Sequence, residues 1–302
     1  MKKIALIGAG AIGTVYARHL HDEYANNFAV VAAGARAERL RQSGITLNET
    51  SFFPRVISPQ EPDFTADLIL VCVKNYHLSQ AIKEIRGLVG EHTVILPVLN
   101  GITARDLILA AYPQNHVLYG LALYIDAIRT PDGVINTNDG IIQLGNADNT
   151  TPAPEVQAVS DCLTEAGIGI QVCPDMIRTI WKKWMLNVGC NQVTAITRTN
   201  FNRLTTIPES QSLFHDAMME VVSLAAAAGV SLTQEDALEF EELMKTFSPQ
   251  GKTSMLQDVE AGRITEVDSF GGTVIELGRQ FGVPTPVNDV LYRIIKSIEQ
   301  MY

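Results

Sequence analysis

The sequence predicts an α/β domain followed by an all-helical domain. Three observations carry this. A glycine-rich turn, GAGAIG, follows a short apolar run at the start of the chain. Strand-like apolar runs then alternate with helical segments, as parallel βαβ units require. From Pro174 onward every patterned segment has the helical period. The expected domains are therefore residues 1–174 and 175–302.

The chain of 302 residues has room for two domains. Hydrophobic residues make up 46% and charged residues 19%, which supports a substantial core. No apolar run reaches the length of a membrane span, so no membrane association is expected. The opening MKKIALIGAGAIGTVYA has the basic start and apolar run of a signal peptide, but its three spaced glycines read better as strand, turn and helix. A net charge of −10 argues against a broad nucleic-acid surface. An anionic ligand would need a local cluster of cations. The four cysteines (Cys72, Cys162, Cys173, Cys190) form no CxxC pair and no metal-type spacing with the six histidines. No metal is expected, and a reducing cytoplasm is the simplest location.

KKIALIG is the first strand, and a helical pattern runs from GAGAIG to about His21. FAVVAAGAR reads as a second strand. The helix ERLRQSG follows, with Gly44 as its stop, then short strands around ITLN and RVIS. DLILVCVK is nearly all apolar, as a central parallel strand covered on both faces should be. Leu78 to Val89 reads as a helix, and TVILPVLNG as a buried strand ending at Asn100-Gly101. VLYGLALYI, GVINTN and IIQLG are further strands, then come the polar loop GNADNTTPAPE, a helix and the strand IGIQVC. Helices are then expected over 175–197, Glu209–Ala228, Gln234–Lys245, Ser254–Ala261, Glu266–Phe281 and Asn288–Met301. Gly229 and Gly282 would stop two of them, and Thr265 would be an N-cap.

Gly8, Gly10 and Gly13 form GxGxxG between the first strand and the first helix. The first glycine permits the tight turn and the second lets a pyrophosphate approach the backbone. The third allows close helix–strand packing, and the helix N-terminus favours the anion. With Ala11 and Ile12 they are the expected contacts of a dinucleotide in a Rossmann-type domain; a purely structural glycine turn is the alternative. An NAD site usually carries Asp or Glu at the end of strand two. Here that stretch reads GAR and offers Arg36, whose guanidinium can grip a 2′-phosphate. NADPH is therefore the expected cofactor, the alternative being a solvated arginine beside Arg39 and Arg41.

Residues four apart share a helix face with a drift of about 40° per step. Lys183, Asn187 and Asn191 thus form one polar stripe within the apolar WKKWMLNVGCN. Buried without partners, such groups cost several kcal/mol. They read as a wall facing a polar ligand. Alternatively Lys183 is exposed beside Lys182 and the asparagines bridge helices. Cys190 reads as a small buried hydrophobe.

Taken together, GAGAIG, VK at 73–74, NG at 100–101, WKKWMLNVGCNQVTA at 181–195, SMLQDVEAGRITEVD at 254–268 and GVPTPVN at 282–288 resemble the ketopantoate (2-dehydropantoate) reductase family along nearly the whole chain. The resemblance implies a Rossmann domain followed by a helical domain, and NADPH-dependent reduction of a 2-keto acid to a 2-hydroxy acid in pantothenate biosynthesis. It implies Lys183 as general acid, with Glu266 contacting substrate and cofactor and helping to place that lysine. Asn187 and Asn191 would bind the substrate hydroxyl and Ser254 its carboxylate. Asn100 would lie near the nicotinamide ribose and the substrate, and Lys74 would line the site. Two departures, Gly251 for an asparagine and Trp184 for a smaller aliphatic residue, bear on which keto acid is used.

From the residues alone, Glu266 could be a first-turn helix carboxylate, Ser254 an N-cap, Lys74 a solvated loop residue and Asn100-Gly101 an ordinary turn. Asp258 could pair with Arg263. Two other functions remain open: a paralogous reductase of another 2-keto acid, and a non-catalytic NADP-binding sensor, which would need the glycine turn but neither Lys183 nor Glu266. The apolar helical domain leaves room for a homodimer interface.

Overall fold

The computed structural model describes residues 1–59 and 64–302. The chain divides into two units, Met1–Met176 and Ile177–Tyr302. In chain order the first unit begins β1 (Ile4–Ile7), α1 (Ala11–Tyr24), β2 (Phe28–Val31), α2 (Gly34–Ser43), β3 (Ile45–Leu47), β4 (Thr50–Phe52) and β5 (Arg55–Ile57). It continues with β6 (Ala66–Val71), α3 (Leu78–Glu84), β7 (Val89–Pro97), α4 (Ala104–Ala111), β8 (His116–Val117) and β9 (Tyr119–Leu123). It closes with β10 (Asp126–Thr130), β11 (Gly133–Asn138), β12 (Ile141–Gly145), α5 (Pro154–Glu165) and β13 (Gly169–Val172).

Its main sheet has the order β5-β2-β1-β6-β7-β8, and every pairing is parallel. This is the order of a doubly wound dinucleotide-binding sheet, with the reversal between β1 and β6. The apolar runs follow from burial on both faces. Ile4 and Leu6 enter one core while Ala5 and Ile7 enter the other. The register across the reversal runs from Ile4 opposite Leu68 to Ile7 opposite Val71. Two smaller sheets, β10-β11-β3-β4 and β13-β12-β9, complete the unit.

Local differences from the sequence reading have physical causes. The second strand ends at Val31, and Gly34-Ala35-Arg36 forms the first turn of α2. Small residues fit strand and turn equally, so the pattern could not place that boundary. The helix α4 was not expected at all. It packs Ala104 and Ile108 into the core while Leu107 stays half exposed, which blurs its amphipathic signal.

The second unit is all-helical: α6 (Met176–Thr197), α7 (Phe201–Thr206), α8 (Pro208–Ala227), α9 (Gln234–Thr246), α10 (Ser254–Glu260), α11 (Gly271–Phe281) and α12 (Pro286–Glu299). The helix expected from Glu266 starts at Gly271; a 3₁₀ turn, Val267–Ser269, takes its place upstream. Phe270, at φ −109° and ψ −94°, breaks the two apart. A Cβ on Gly271 would overlap the Gln192 amide oxygen, so α11 and α6 meet at a glycine. Thr265 is not the N-cap of α11, and Gly282 does end that helix, in the left-handed conformation. On α6, Arg178 and Lys182 share one face and both hold the buried Asp236 carboxylate of α9, at 2.7 Å each. Asn288, fully buried, receives a 2.8 Å bond from Gln192 and gives its own amide to Glu220 on α8. These buried polar ties fix the rotation of α6 about its axis. Among the described residues, no helix is long and apolar enough to cross a membrane.

Candidate active site

In the first unit the glycine turn sits at the reversal of strand order. Gly8 has φ +104°, and a Cβ on it would lie 2.5 Å from the Cys72 carbonyl carbon at the end of β6. A Cβ on Gly13 would overlap the Gly8 carbonyl oxygen. Both are held by the protein's own packing. Gly10 differs: the nearest atom to its Cβ would be 4.0 Å away, so the space above it is open. Ala11 and Ile12 follow in the first turn of α1, with the helix N–H groups opening there. The cradle fits a pyrophosphate.

Arg36 lies in the first turn of α2. Arg36 is exposed; partial desolvation lowers its proton affinity most, and the Arg129 and Arg39 charges lower it further, against Glu84. Positive charge is therefore concentrated beside the end of β2. Arg129, from β10, was not singled out in the sequence because nothing local links it to α2.

Lys74 and Asn100 stand beyond the C-terminal ends of the adjacent strands β6 and β7. The Asn75 side-chain amide donates to the Asn100 carbonyl at 2.9 Å and joins the two loops. Gly101 takes φ +88°, so Asn100-Gly101 is a turn whose peptide is anchored by Asn75. Asn75 carried no sequence signal; its role depends on strand neighbours that lie far apart in the chain.

In the second unit, α6 carries Lys183, Asn187 and Asn191 on one stripe, with Asn191 buried and the other two partly so. Burial lowers the Lys183 ammonium to about 8, and the Glu266 carboxylate opposes that fall. Glu266 is itself buried, at the start of the 265–269 turn. Thr265 is held from α12 by the Glu299 carboxylate, which accepts its N–H at 2.8 Å and its hydroxyl at 2.7 Å. Ser269 is held from α6, where Trp184 donates its indole N–H to the Ser269 carbonyl at 2.9 Å. Trp184 is thus a buried core residue, stacked edge-on against Trp181.

Ser254 is the first residue of α10 and is exposed. The N-cap is Thr253, whose hydroxyl accepts from the Leu256 N–H. That leaves the Ser254 hydroxyl outside the cap. Thr253 also bonds Thr194 on α6 at 2.7 Å, which brings the start of α10 to the helix that bears the polar stripe. Gly251 packs on Phe201: its carbonyl accepts the Phe201 N–H at 3.0 Å, and a Cβ would lie 2.6 Å from the ring. Asp258 pairs with Arg263 at 2.9 Å. Cys190 is buried and free. Among the described residues, no group of three or more His, Cys, Asp or Glu could hold a metal.

A doubly wound sheet with an open glycine cradle, followed by a helical unit with a desolvated lysine beside a carboxylate, defines the class: an oxidoreductase built on a dinucleotide-binding fold. Two family models match the chain, ketopantoate reductase PanE/ApbA over residues 4–149 and its C-terminal domain over residues 175–299. The chain belongs to the ketopantoate reductase PanE/ApbA family. It is 27% identical to a 2-dehydropantoate 2-reductase of Halobacterium salinarum over 99% of each chain. It is similar to the crystal structure of 2-dehydropantoate 2-reductase from Methylococcus capsulatus, at TM-score 0.85 and 26% identity, covering 99% of this chain and 97% of that one. It shares its fold with a D-mandelate dehydrogenase solved with NADH and anilino(oxo)acetate, at TM-score 0.90 and 24% identity, covering 99% and 98% of the two chains.

Proposed function

We propose that the protein reduces 2-dehydropantoate to pantoate with NADPH, in pantothenate biosynthesis. The observation that carries this reading is Lys183, desolvated to about 8 and facing the Glu266 carboxylate. NADPH, when bound, supplies the hydride that reaches the ketone carbon. Lys183 in its ammonium form stabilises the negative charge growing on the ketone oxygen and gives it the proton. Glu266 counters the desolvation and keeps the ammonium charged near neutral pH.

Asn187 and Asn191 hold the substrate hydroxyl, and Ser254 its carboxylate. In the first unit, Asn100 serves the nicotinamide ribose and the substrate and Lys74 contacts the cofactor; in the second, Glu266 contacts the ligands. Gly8, Gly10, Ala11, Ile12 and Gly13 cradle the pyrophosphate, and Arg36, in its cationic surroundings, takes the 2′-phosphate. A reducing cytoplasm suits four free cysteines. The test is NADPH oxidation with 2-dehydropantoate against a panel of other 2-keto acids, for the wild type and Lys183→Ala. Turnover of 2-dehydropantoate that is lost in the variant, with NADPH binding kept, supports the reading. Near-normal turnover in the variant refutes it.

The fold shared with a D-mandelate dehydrogenase supports a second reading. In it the same lysine and glutamate act on another 2-keto acid, and the panel separates the two. NADPH binding without turnover of any keto acid would instead favour a sensor.

A further inference from the structure

Lys183 and Glu266 meet although they belong to different elements of the second unit. Each is the end of a chain of contacts. Glu266 opens a short turn whose backbone closes on itself: the Ser269 N–H donates to the Glu266 carbonyl at 2.9 Å. Upstream, Thr265 is fastened to Glu299 on α12. Downstream, Asp268 is fastened to Tyr292 and Lys296 on α12, and Ser269 is fastened to α6 through the Trp184 indole at 2.9 Å. Trp184 is the residue next to Lys183, so the two sit one helical step apart on α6. Their side chains diverge by about 100° around the helix. The indole thus ties the segment that bears the ammonium to the turn that bears the carboxylate.

We infer that Trp184 is a positioning residue: its bond to the Ser269 carbonyl sets the separation of Lys183 and Glu266. This rests on the reading of Lys183 as the acid. The ring is 1% exposed, so no water replaces the N–H without repacking. Tyr292 and Lys296 hold the Asp268 carboxylate from α12, at 2.9 and 3.3 Å, so the indole is the bond that ties the turn to the helix bearing Lys183. The attraction between the two charges falls with distance and with water entry. The other charges nearby are engaged elsewhere. Lys182 pairs with Asp236 and Glu239 on α9. Asp268 and Glu299 both pair with Lys296 on α12.

Trp184→Phe keeps an aromatic ring in the core and removes the donor, together with some buried ring volume that lowers stability without moving a pH limb. A looser turn gives Lys183 less support against desolvation, so its proton is lost at lower pH. The acid must be protonated to act, so the alkaline limb of kcat/KM for 2-dehydropantoate moves down by about half a pH unit or more. The dissociation constant for NADPH should not change. The same shift should appear in the lysine titration followed by NMR on isotope-labelled protein without substrate. In a Glu266→Gln background Trp184→Phe should add no further shift, because its partner charge is gone. If the phenylalanine variant is poorly soluble, Trp184→Leu reads the same limb.

A purely structural tryptophan predicts otherwise: a lower melting temperature and a uniform loss of rate, with the limb in place. That result, with Lys183→Ala inactive, overturns the inference and leaves the acid assignment standing. An active Lys183→Ala removes both.

Discussion

Burial and the Glu266 carboxylate act on the Lys183 ammonium in opposite directions, and burial prevails, setting the group at about 8 instead of 10.5. In the proposed role of proton donor, Lys183 needs an affinity near the working pH, and desolvation moves it that way. Turnover should therefore be flat below neutrality and fall as pH rises through about 8. In Glu266→Gln the raising influence is gone, so the fall should come at lower pH. A rate profile that stays level up to pH ~10, where an unperturbed lysine titrates, would show that this lysine is not the acid.

The same desolvation has a cost in stability. The folded-state value, about 8, lies below that of the unfolded chain, so the folded form releases the proton first. The penalty is fully present below about pH 8 and fades as pH rises toward the unfolded value. Lys183→Met should stabilise the protein by ~1–3 kcal/mol at neutral pH, and by less near pH 10. Thermal melts at the two pH values measure it. A lower melting temperature at both would mean that the ammonium is net stabilising.

The three glycines of the turn should separate by phenotype. Gly13→Ala forces a methyl group into the Gly8 carbonyl and should cost ~1–3 kcal/mol or more of stability. Gly10→Ala meets no protein atom closer than 4.0 Å, so its melting temperature should hold while NADPH affinity drops. Equal affinity in Gly10→Ala and the wild type, by fluorescence titration, would place the pyrophosphate elsewhere.

Arg36 stands among like charges, which favours an anion more than a carboxylate-paired arginine would. Its replacement by alanine should reduce the preference for NADPH over NADH by roughly 10–100-fold, the worth of a charge-assisted contact. Arg129→Ala should reduce it less. Unchanged ratios of kcat/KM for the two cofactors in Arg36→Ala would remove the phosphate assignment.

Asp236 anchors α6 to α9. Desolvation works against its charge, but the Lys182 and Arg178 bonds and the Thr233 N–H outweigh it and hold the carboxyl below its usual range. That stability is present above the unfolded carboxyl value near pH 4 and is lost as pH falls through the lower folded value. Asp236→Ala removes the carboxylate that Arg178 and Lys182 share, while Lys182 keeps Glu239, and should destabilise by ~1–3 kcal/mol. Denaturant melts at pH 7 give the size, and the variant's stability should vary less with pH in the acid range. A loss below ~1 kcal/mol would show the clamp to be weak.

Much of the layout was legible in the chain because it follows from short-range pattern. The apolar run DLILVCVK has no polar alternation, and β6 is covered on both faces. GxGxxG after a strand describes a backbone geometry, and Gly8 and Gly13 stand where a Cβ has no room. The period of four that groups Lys183, Asn187 and Asn191 is a property of one helix. Boundaries were less legible: Glu266 looked like the first turn of a helix, yet Phe270 and Gly271 place the break after it.

Trp184 shows where pattern stops. Its apolar neighbours predict burial, and it is buried, but it read as a residue that shapes a pocket. Its indole instead bonds a carbonyl in a turn remote in sequence. The Asn75 bond to Asn100, the Arg129 charge beside Arg36 and the Thr194–Thr253 contact that joins the start of α10 to α6 are of the same kind. The central strands, the glycine cradle and the polar stripe were readable in the chain, since periodicity and stereochemistry act within a few residues, whereas β4 and β10 were not. The resemblance named Glu266 beside Lys183, but only the packing shows what holds its turn there. Burial says that a side chain has left water, whereas a proton affinity depends on which charge stands beside it, and that neighbour is chosen by packing between distant segments.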